Sequence, residues 1–367
     1  MTAEQSQKAL LALDGGGLRG AFTLGVLGEL ERLLGKWTGR GSGFVLADYF
    51  DFIGGTSTGA IIGSGLALGW SVDTLKELYL RLGREVFRPR RLLPLRAWSK
   101  YPGEPLRAQL AAEFGDRTFG DHDLRTLLLI VTHNRTTNSP YPLANHPTAR
   151  YNTGGLPTHR NLDQRLADLL WASTAAPAFF PAAVLDFGAG PQELVDGGVT
   201  AHNNPALQLF FTATLPEYGL GWPTGADRLL LVSVGTGFLP AGLKKLSQLR
   251  RHIIYVATST PSGLMYAAAN HNDVTCRALG EVRFGRPIDS ELDRLTTGLP
   301  TKHFSYARYN VAYEPEELAG YGVTTDPHDL ARLDAVEHVE TLMELGVAYA
   351  KATLATAHFD GFTRLRS

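Results

Sequence analysis

The chain has 367 residues, of which 44% are hydrophobic, and its 35 Lys and Arg residues nearly balance its 36 Asp and Glu residues. A formal charge of −1 argues against a global field that would attract nucleic acid. The single cysteine, Cys276, excludes an internal disulfide and favours a reducing compartment.

The N-terminus and the longest apolar stretch indicate where in the cell the protein is expected. Residues 1–8 lack the charged-then-apolar layout of a secretory signal, which predicts a cytoplasmic protein. The apolar stretch at 60–70 is about half of the roughly 20 residues that a membrane-spanning helix requires. We therefore expect a chain that contacts a membrane peripherally and does not cross it.

Two units of strand, glycine turn and helix open the chain. Residues 9–13 read as a buried strand, and leucines recur at helical spacing after the glycine turn that follows. A second unit runs from a strand at 49–53 through another glycine turn into a helix at 60–68. Later segments continue the alternation, with strands predicted at 127–131, 193–195 and 229–234 and helices at 162–171 and 205–211.

This alternation predicts an α/β fold with a mainly parallel sheet and helices on both faces. The segment 134–161 is rich in Pro, Thr and Asn and is expected to be a surface excursion. Near the end, Asp326 and Pro327 form a plausible helix start, and apolar residues at 330–345 predict one long helix. We expect one domain over 1–367, in which 241–367 is a helical C-terminal part.

The second glycine turn carries a serine. Residues 55–59 match Gly-x-Ser-x-Gly, in which Gly55 and Gly59 permit the sharp strand-to-helix turn that presents a nucleophile, here Ser57. The helix that follows would place its positive N-terminal dipole beside the hydroxyl. Taken alone, the pattern is equally compatible with a glycine-rich turn and a solvent-facing serine.

The first glycine turn reads Asp-Gly-Gly-Gly-Leu-Arg-Gly at residues 14–20. Consecutive small residues before a helix can direct several backbone N–H groups at one anion. In acyl transfer that anion is the oxyanion of the tetrahedral intermediate. Arg19 would then rigidify the loop or add positive potential.

A dinucleotide-binding interpretation competes for the same loop. Gly15, Gly17 and Gly20 also spell G-x-G-x-x-G between a strand and a helix. That fingerprint expects an acidic residue about 20 positions on, at the end of the second strand. The candidates Asp48 and Asp51 come later and lie before or within that strand, so the fingerprint is incomplete.

A carboxylate follows a third short strand. Asp196 precedes Gly197 and Gly198, whose lack of side chains permits close approach of another backbone, and its carboxylate could accept the serine proton. An ordinary Asp is a weak base, so the site would have to desolvate it or bind the transition state tightly. Asp-Gly turns are common in loops, and only the combination with the other two motifs favours catalysis.

Taken in this order, the blocks at 14–20, 55–59 and 196–198 resemble the signature blocks of the patatin-like phospholipase family. The segments at 173–181, 203–206 and 233–237 are also similar to family segments, so the resemblance covers roughly residues 8–240. It implies a three-layer α/β/α fold, an acyl-enzyme intermediate and no metal or other cofactor. The family includes plant storage hydrolases and bacterial antiphage phospholipases switched on by cyclic nucleotides, although no nucleotide site is visible in this sequence.

The resemblance also assigns roles to residues. It makes Ser57 the nucleophile and Asp196 its base in a Ser-Asp dyad. The backbone amides of the glycine loop would form the oxyanion hole, namely those of Gly16, Gly17 and Leu18, steadied by Arg19. His202 lies six residues after Asp196, so spacing alone leaves a Ser-His-Asp arrangement open.

A basic and aromatic segment could contact lipid. Phe87, Arg88, Arg90, Arg91 and Trp98 lie close together in an otherwise neutral chain. Cations interleaved with large apolar groups suit an anionic membrane surface, where each contributes about 1 kcal/mol. A solvated basic loop packed by its leucines explains the pattern equally well. A lipid-binding protein without catalytic activity is a further alternative for the whole chain.

Overall fold

The computed structural model describes residues 7–87, 99–153, 160–240 and 253–363, the side chains of 253–262 excepted. The strands are β1 Lys8–Leu13, β2 Phe52–Thr56, β3 Leu127–Asn134, β4 Ser139–Ala144, β5 Ala183–Asp186, β6 Pro191–Asp196, β7 Leu229–Val234, β8 Glu281–Phe284 and β9 Ser305–Tyr309. The helices are α1 Gly20–Trp37, α2 Thr58–Ala67, α3 Val72–Val86, α4 Glu104–Phe114, α5 Leu166–Thr174, α6 Ala206–Thr214, α7 Ile253–Leu279, α8 Pro315–Gly320, α9 Pro327–Leu330 and α10 Val339–Thr353.

The strands form one sheet in the order β5-β6-β3-β2-β1-β7-β9-β8, and β4 also pairs with β3. Strands from β3 through β2, β1, β7 and β9 to β8 run parallel. The strands β4 and β6 pair antiparallel with opposite edges of β3, and β5 pairs antiparallel with β6. The mainly parallel sheet predicted from the sequence is confirmed.

Helices cover both faces of the sheet, as the buried side chains of β1 illustrate. Leu11 and Leu13 join a large apolar cluster with residues of α1, α2 and α10. Leu10 and Ala12 point the opposite way and join a second cluster with residues of α6 and α7, including Cys276. Alternate residues of a strand face opposite sides, so one apolar run supplies both cores. The fold is a three-layer α/β/α arrangement.

The second strand begins later than the sequence suggested. Residues 46–48 form a short 3-10 turn, and Asp51 binds the backbone N–H of Ala9 at 2.9 Å with its side chain. Parallel pairing with β1 starts only at Phe52, opposite Leu10. The strand therefore extends through the glycines to the residue before Ser57.

The segment 134–161 also differs from its prediction as an irregular excursion, because β4 lies within it and pairs with β3 along six residues. Two prolines, Pro140 and Pro142, interrupt the alternation of apolar and polar residues that would indicate a strand there. A proline on an outer strand does not disturb pairing when its missing N–H would face away from the neighbouring strand. The excursion thus contributes to the sheet.

The C-terminal region is not simply helical. Two parallel strands, β8 and β9, extend the sheet, and every residue of β9 is buried. Asp326 does cap a helix, since its side chain accepts a hydrogen bond from the His328 N–H at 2.8 Å. That helix ends at Leu330 and α10 starts only at Val339. The prediction of a single long helix was therefore wrong. Between them, residues 331–338 turn toward the glycine loop.

None of the helices in the described ranges combines the length and apolar character that crossing a bilayer requires.

Candidate active site

Ser57 occupies the junction between β2 and α2. Its backbone angles, φ 55° and ψ −122°, are rare for a residue with a side chain. The turn is held because the Ser57 N–H donates to Ser173 Oγ at 2.9 Å. It is also tight, since a Cβ on Gly59 would lie 2.2 Å from the Leu13 carbonyl oxygen. The strand, sharp turn and helix that Gly-x-Ser-x-Gly requires are all present.

The Ser57 hydroxyl is paired with a carboxylate from a distant part of the chain. Asp196 is the last residue of β6, and Ser57 Oγ donates to Asp196 Oδ2 at 2.6 Å. The other carboxylate oxygen, Oδ1, accepts the Gly198 N–H at 2.7 Å. Both side chains are buried, with exposed fractions of 6% for Ser57 and 5% for Asp196. The carboxylate is thereby held in a fixed orientation toward the hydroxyl.

Burial changes the basicity of Asp196. Desolvation raises the pKa of its carboxyl group to about 6, although hydrogen bonds from Ser57 and the Gly198 N–H act in the opposite direction. The group is still mostly ionised at neutral pH. A carboxylate with this pKa is a stronger base than an ordinary Asp and can receive the serine proton.

His202 lies close to the dyad in sequence but does not join it. It makes no side-chain hydrogen bond to Ser57 or Asp196, and its buried Nδ1 has no partner among the described residues. Its backbone carbonyl accepts a hydrogen bond from Thr56 Oγ1 at 2.7 Å. Burial lowers the pKa of the imidazole. The structure therefore places His202 in a supporting position beside β2.

The glycine loop lies beside the nucleophile, but one of its predicted donors is occupied. The N–H groups of Gly16 and Gly17 donate to no acceptor within the described part of the chain. By contrast, the Leu18 N–H donates to the Leu333 carbonyl at 2.8 Å. In this conformation Leu18 is not free to bind an oxyanion, which corrects its predicted role. The partner lies more than 300 residues away in sequence, so no local pattern could reveal it.

Arg19 contacts the loop through its guanidinium. Nε donates to the Gly16 carbonyl and Nη1 to the Gly237 carbonyl, both at 3.3 Å. Burial lowers the pKa of Arg19, and no carboxylate of the described residues lies within 4.0 Å of it. Arg19 thus links the glycine loop to the end of β7 and leaves a positive charge uncompensated by a direct ion pair.

Three supporting contacts carried no recognisable signal in the sequence. Arg308 of β9 forms a two-pronged ion pair with Asp14, at 2.7 and 2.5 Å, and both side chains are buried. Tyr79 Oη donates to the Gly17 carbonyl at 2.6 Å. Ser173, which was noticed only as part of a family-like segment, fixes the Ser57 backbone. Each joins parts of the chain that are distant in sequence.

A cavity of about 1000 Å³ opens over the dyad. Part of its wall is apolar and includes Leu82, Val86, Leu106, Phe179 and Phe180. Another part of the wall comes from the C-terminal region and is rich in arginine and asparagine. The residues that line the cavity can thus surround both a fatty acyl chain and a polar group.

Phe87, predicted to contact membrane, is partly buried and lines the cavity. Its ring packs edge-on against Tyr101 at 5.3 Å and Phe180 at 5.9 Å between centroids. The other four residues proposed for membrane contact, Arg88, Arg90, Arg91 and Trp98, lie outside the described residues.

The acidic residues weighed for dinucleotide binding serve other contacts. Asp48 pairs with Arg125, and Asp51 pairs with Lys8 at 3.0 Å. Within the described ranges, no group of three or more His, Cys, Asp or Glu side chains is arranged to hold a metal ion.

The fold agrees with the outcome of comparison with known families. A family model described as patatin-like phospholipase matches residues 11–210. The match covers more than half of the chain, which therefore belongs to the patatin-like phospholipase family. It contains all three motif blocks, whereas β7, β8 and β9 lie beyond it.

Relatives come from bacteria and plants. A cGAMP-activated phospholipase of Vibrio cholerae is 33% identical over 215 residues, covering 55% of this chain and 57% of that protein. A cUMP-AMP-activated phospholipase of Escherichia coli is 33% identical over 233 residues, covering 63% and 65%. Patatin-like protein 2 of Arabidopsis thaliana is 31% identical over 259 residues, covering 62% and 59%. The chain spans less than two thirds of the length of each.

Proposed function

We propose that this protein is a serine lipid acyl hydrolase of phospholipase A type, acting through a Ser57-Asp196 dyad. The observation that carries the proposal is the 2.6 Å hydrogen bond from Ser57 Oγ to Asp196 Oδ2 on a strained, buried turn. A nucleophile within hydrogen-bonding distance of its base is the arrangement that acyl transfer requires. The N–H groups of Gly16 and Gly17, which donate to no acceptor among the described residues, lie on the adjoining loop.

The proposed reaction has two halves. Ser57 Oγ attacks the ester carbonyl carbon while its proton passes to Asp196, and the carbonyl oxygen becomes an oxyanion that accepts the Gly16 and Gly17 N–H groups. Collapse of this intermediate breaks the ester bond, and the departing alcohol takes the proton from Asp196. Water then attacks the acyl-enzyme in the same way, giving up a proton to Asp196, and Ser57 recovers its proton as the fatty acid leaves.

The proposed substrates are membrane phospholipids, which a protein peripheral to the membrane would reach from the cytoplasmic side. The apolar part of the cavity wall suits a fatty acyl chain, because each buried CH₂ group contributes about 0.8 kcal/mol. The family name and the relatives named as phospholipases support the same substrate class. No metal or organic cofactor is part of the proposed chemistry.

We also propose that a cyclic dinucleotide activates the enzyme. Three bacterial relatives are named for activation by cGAMP and one further relative for activation by cUMP-AMP.

The direct test incubates purified protein with defined phospholipids, with and without a set of cyclic dinucleotides, and measures released fatty acid. The wild type should release fatty acid and react with a fluorophosphonate probe, and Ser57→Ala should do neither. Binding of NAD without ester hydrolysis under any of these conditions would instead support the dinucleotide alternative. A biological effect that survives Ser57→Ala would support a lipid-binding protein without catalytic activity.

A further inference from the structure

The wall of the catalytic cavity carries more positive than negative side chains at its C-terminal end. Five arginines of the glycine loop and the C-terminal region line the cavity, namely Arg19, Arg277, Arg286, Arg308 and Arg332, against the three carboxylates of Asp14, Asp273 and Asp334. The excess is 5 − 3 = 2 positive charges. Apart from Arg19 and Asp14, these residues lie beyond the segment that matches the family model.

Local ion pairs account for three of the five arginines, and Arg332 is the exposed one among these, paired with Asp334 and Glu337. Arg308 is held by Asp14, and Arg277 pairs with Asp273 through Nη2 at 2.8 Å and Nε at 3.0 Å. Both of these guanidinium groups are almost fully buried, with exposed fractions of 1% for Arg277 and 4% for Arg308. They therefore serve the framework of the site and are poor candidates for binding a ligand.

Arg286 is different, because it is only partly neutralised and partly exposed. Its side chain has an exposed fraction of 29%, and Nη2 makes one long contact of 3.3 Å with Glu317 Oε2. A guanidinium carries five N–H donors, and within the described residues no other acceptor is bonded to those of Arg286. Most of its hydrogen-bonding capacity is available to a ligand in the cavity.

The position of Arg286 is set by an aromatic platform. Its guanidinium carbon lies 5.0 Å from the centroid of the Phe238 ring, which itself stacks on Tyr266 at 5.1 Å and 24°. Such a cation–π contact orients the flat guanidinium while leaving its edges open. The backbone carbonyl of Arg286 is fixed as well, because it accepts Arg277 Nη1 at 2.7 Å.

The glycine loop and Arg19 link the Phe238–Tyr266 stack to the region of Ser57. Arg19 follows that loop directly and reaches the carbonyl of Gly237, the residue before Phe238. Arg286 and the uncompensated Arg19 thus flank the dipeptide 237–238, and both line the cavity that contains Ser57. A polar group of a bound ester could contact Arg286 while its acyl carbonyl lies at Ser57.

We propose that Arg286, oriented on the Phe238–Tyr266 stack, binds the phosphodiester of the lipid whose acyl ester is cleaved at Ser57. The inference rests on the proposed hydrolase function and adds the group that selects phospholipids over uncharged lipids. A phosphodiester carries one negative charge and pairs of oxygens that match the edge of a guanidinium. Its charge also suits the net positive wall better than an uncharged headgroup does.

The test compares two lipids that share their acyl chains and differ in the phosphate. Dioleoylphosphatidylglycerol and dioleoylglycerol are presented in the same uncharged detergent micelles, and kcat/KM is measured for each. Arg286→Gln should lower the ratio of phospholipid to diacylglycerol hydrolysis about tenfold or more, as expected for losing a charged hydrogen bond. Glu317→Gln, which frees Arg286 from its carboxylate, should leave the ratio equal or higher.

A matched control removes the same charge elsewhere in the region. Arg294 is exposed, lines no part of this cavity and forms no ion pair within the described residues. Arg294→Gln should change the ratio less than about twofold, the scale of a surface substitution. An equal fall of the ratio in Arg294→Gln and Arg286→Gln would overturn the proposal, because general electrostatics would then explain it.

Binding measurements separate the possible sources of the phosphodiester and remain informative if hydrolysis is absent. Calorimetry with dihexanoylphosphatidylglycerol should show about tenfold weaker binding to Arg286→Gln than to the wild type. If the lipid results are unchanged but cyclic dinucleotide binding is lost in Arg286→Gln, the phosphodiester belongs to a soluble nucleotide. If neither ligand depends on Arg286, the site is refuted. A wild type that binds the lipid in an Arg286-dependent way but hydrolyses neither substrate would contradict the hydrolase proposal alone.

Discussion

Asp196 shows how burial alone can adapt a side chain to a chemical task. Its carboxylate has no cationic partner among the described residues, and desolvation raises its pKa to about 6 while hydrogen bonds from Ser57 and Gly198 restrain the rise. The proton acceptor of a serine must be ionised before the reaction. The proposed base would therefore be ionised in most molecules at neutral pH and protonated in mild acid.

A pH dependence follows from this residue. For an uncharged soluble ester, kcat/KM should rise with pH through an inflection near 6, because only the ionised Asp196 can take the proton. Initial rates from pH 4 to 8 would measure it, since kcat/KM reports groups of the free enzyme. An inflection at the ordinary Asp value of 3.8, with full activity at pH 5, would contradict the effect of burial.

The backbone of Ser57 makes a second prediction at the same scale. Ser57→Gly and Ser57→Ala both remove the nucleophile, but only glycine adopts φ 55° and ψ −122° without strain. Ser57→Gly should therefore be more stable than Ser57→Ala by about 1–3 kcal/mol, the usual cost of such a backbone conformation. Chemical denaturation of both variants measures the difference. Equal stability would mean that the turn stores no strain.

At the scale of elements, the glycine loop is held between β1 and the segment that joins α9 to α10. Gly17 has φ +59°, and a Cβ at this position would lie 2.3 Å from the Leu333 carbonyl oxygen. Asp334, the next residue, accepts hydrogen bonds from Lys100 and from Tyr101 Oη, the latter at 2.8 Å. The glycine loop is thus positioned by a segment outside the three motif blocks.

A pair of glycine variants tests this dependence. Gly39 also has a positive φ, +73°, but no atom lies within 4 Å of a Cβ added there. Gly17→Ala and Gly39→Ala should both lose about 1 kcal/mol of stability from the backbone conformation. Only Gly17→Ala must displace Leu333, and it should lose roughly 100-fold or more in ester turnover, the effect of losing an oxyanion donor.

Gly39→Ala serves as the control for Gly17→Ala, because it has the same backbone strain without a neighbouring atom. Both proteins are examined by circular dichroism and by turnover of a soluble p-nitrophenyl ester. Full activity in a folded Gly17→Ala protein would show that the loop tolerates displacement and that its present geometry does not matter for turnover.

The elements also show what sequence patterns can and cannot predict. The strands β1 and β7 were predicted well, because both are buried on both faces and carry long hydrophobic runs, whereas β2, which ends in Gly-Gly-Thr, was placed three residues too early. The C-terminal strand β9 reads Ser-Tyr-Ala-Arg-Tyr, and its buried polar residues hide it. Arg308 is stabilised there by Asp14 and Ser233, partners that spacing along the chain does not reveal.

Contacts between distant segments also explain which parts of the site could not be predicted from the sequence. Ser57 and Asp196 were predicted because each stands in a recognisable local motif at a strand end. The apolar spacing at 330–345 predicted one helix, whereas the carbonyl of Leu333 and the carboxylate of Asp334 bind other segments and interrupt it. The hydrogen bond that occupies the Leu18 N–H likewise comes from a distant segment, at Leu333.

At the scale of the whole molecule, the C-terminal third completes both the sheet and the cavity. β9 pairs with β7 along five residues, and Arg308 holds the glycine loop through Asp14. Breaking such a buried ion pair by removing one partner typically costs about 3–5 kcal/mol. The motif blocks therefore depend on residues that lie far beyond them in sequence.

Membrane contact is the remaining prediction at this scale. The basic residues Arg88, Arg90 and Arg91 follow Phe87, whose ring packs in the cavity wall, so docking here would place lipid next to the site. Replacing the three arginines with Gln should weaken sedimentation with anionic liposomes roughly 100-fold, at about 1 kcal/mol per charge. Soluble ester turnover serves as the check of folding.

A second triple variant controls for net charge in that experiment. It replaces the exposed arginines Arg32, Arg135 and Arg294 with Gln and should sediment nearly as the wild type does. Equal loss in both triple variants would assign the binding to net charge, and unchanged sedimentation of the first would remove the docking segment.

The most direct measurement compares Asp196→Asn and His202→Ala in the turnover of a soluble p-nitrophenyl ester. Asn keeps the size of the side chain but cannot accept the proton, so Asp196→Asn should lose at least the roughly 100-fold contributed by a positioned general base. His202→Ala should stay close to the wild type, because its imidazole is bonded to neither Ser57 nor Asp196. Circular dichroism must show both variants folded. A folded His202→Ala that is inactive, beside an Asp196→Asn that remains largely active, would refute the dyad and identify His202 as the base.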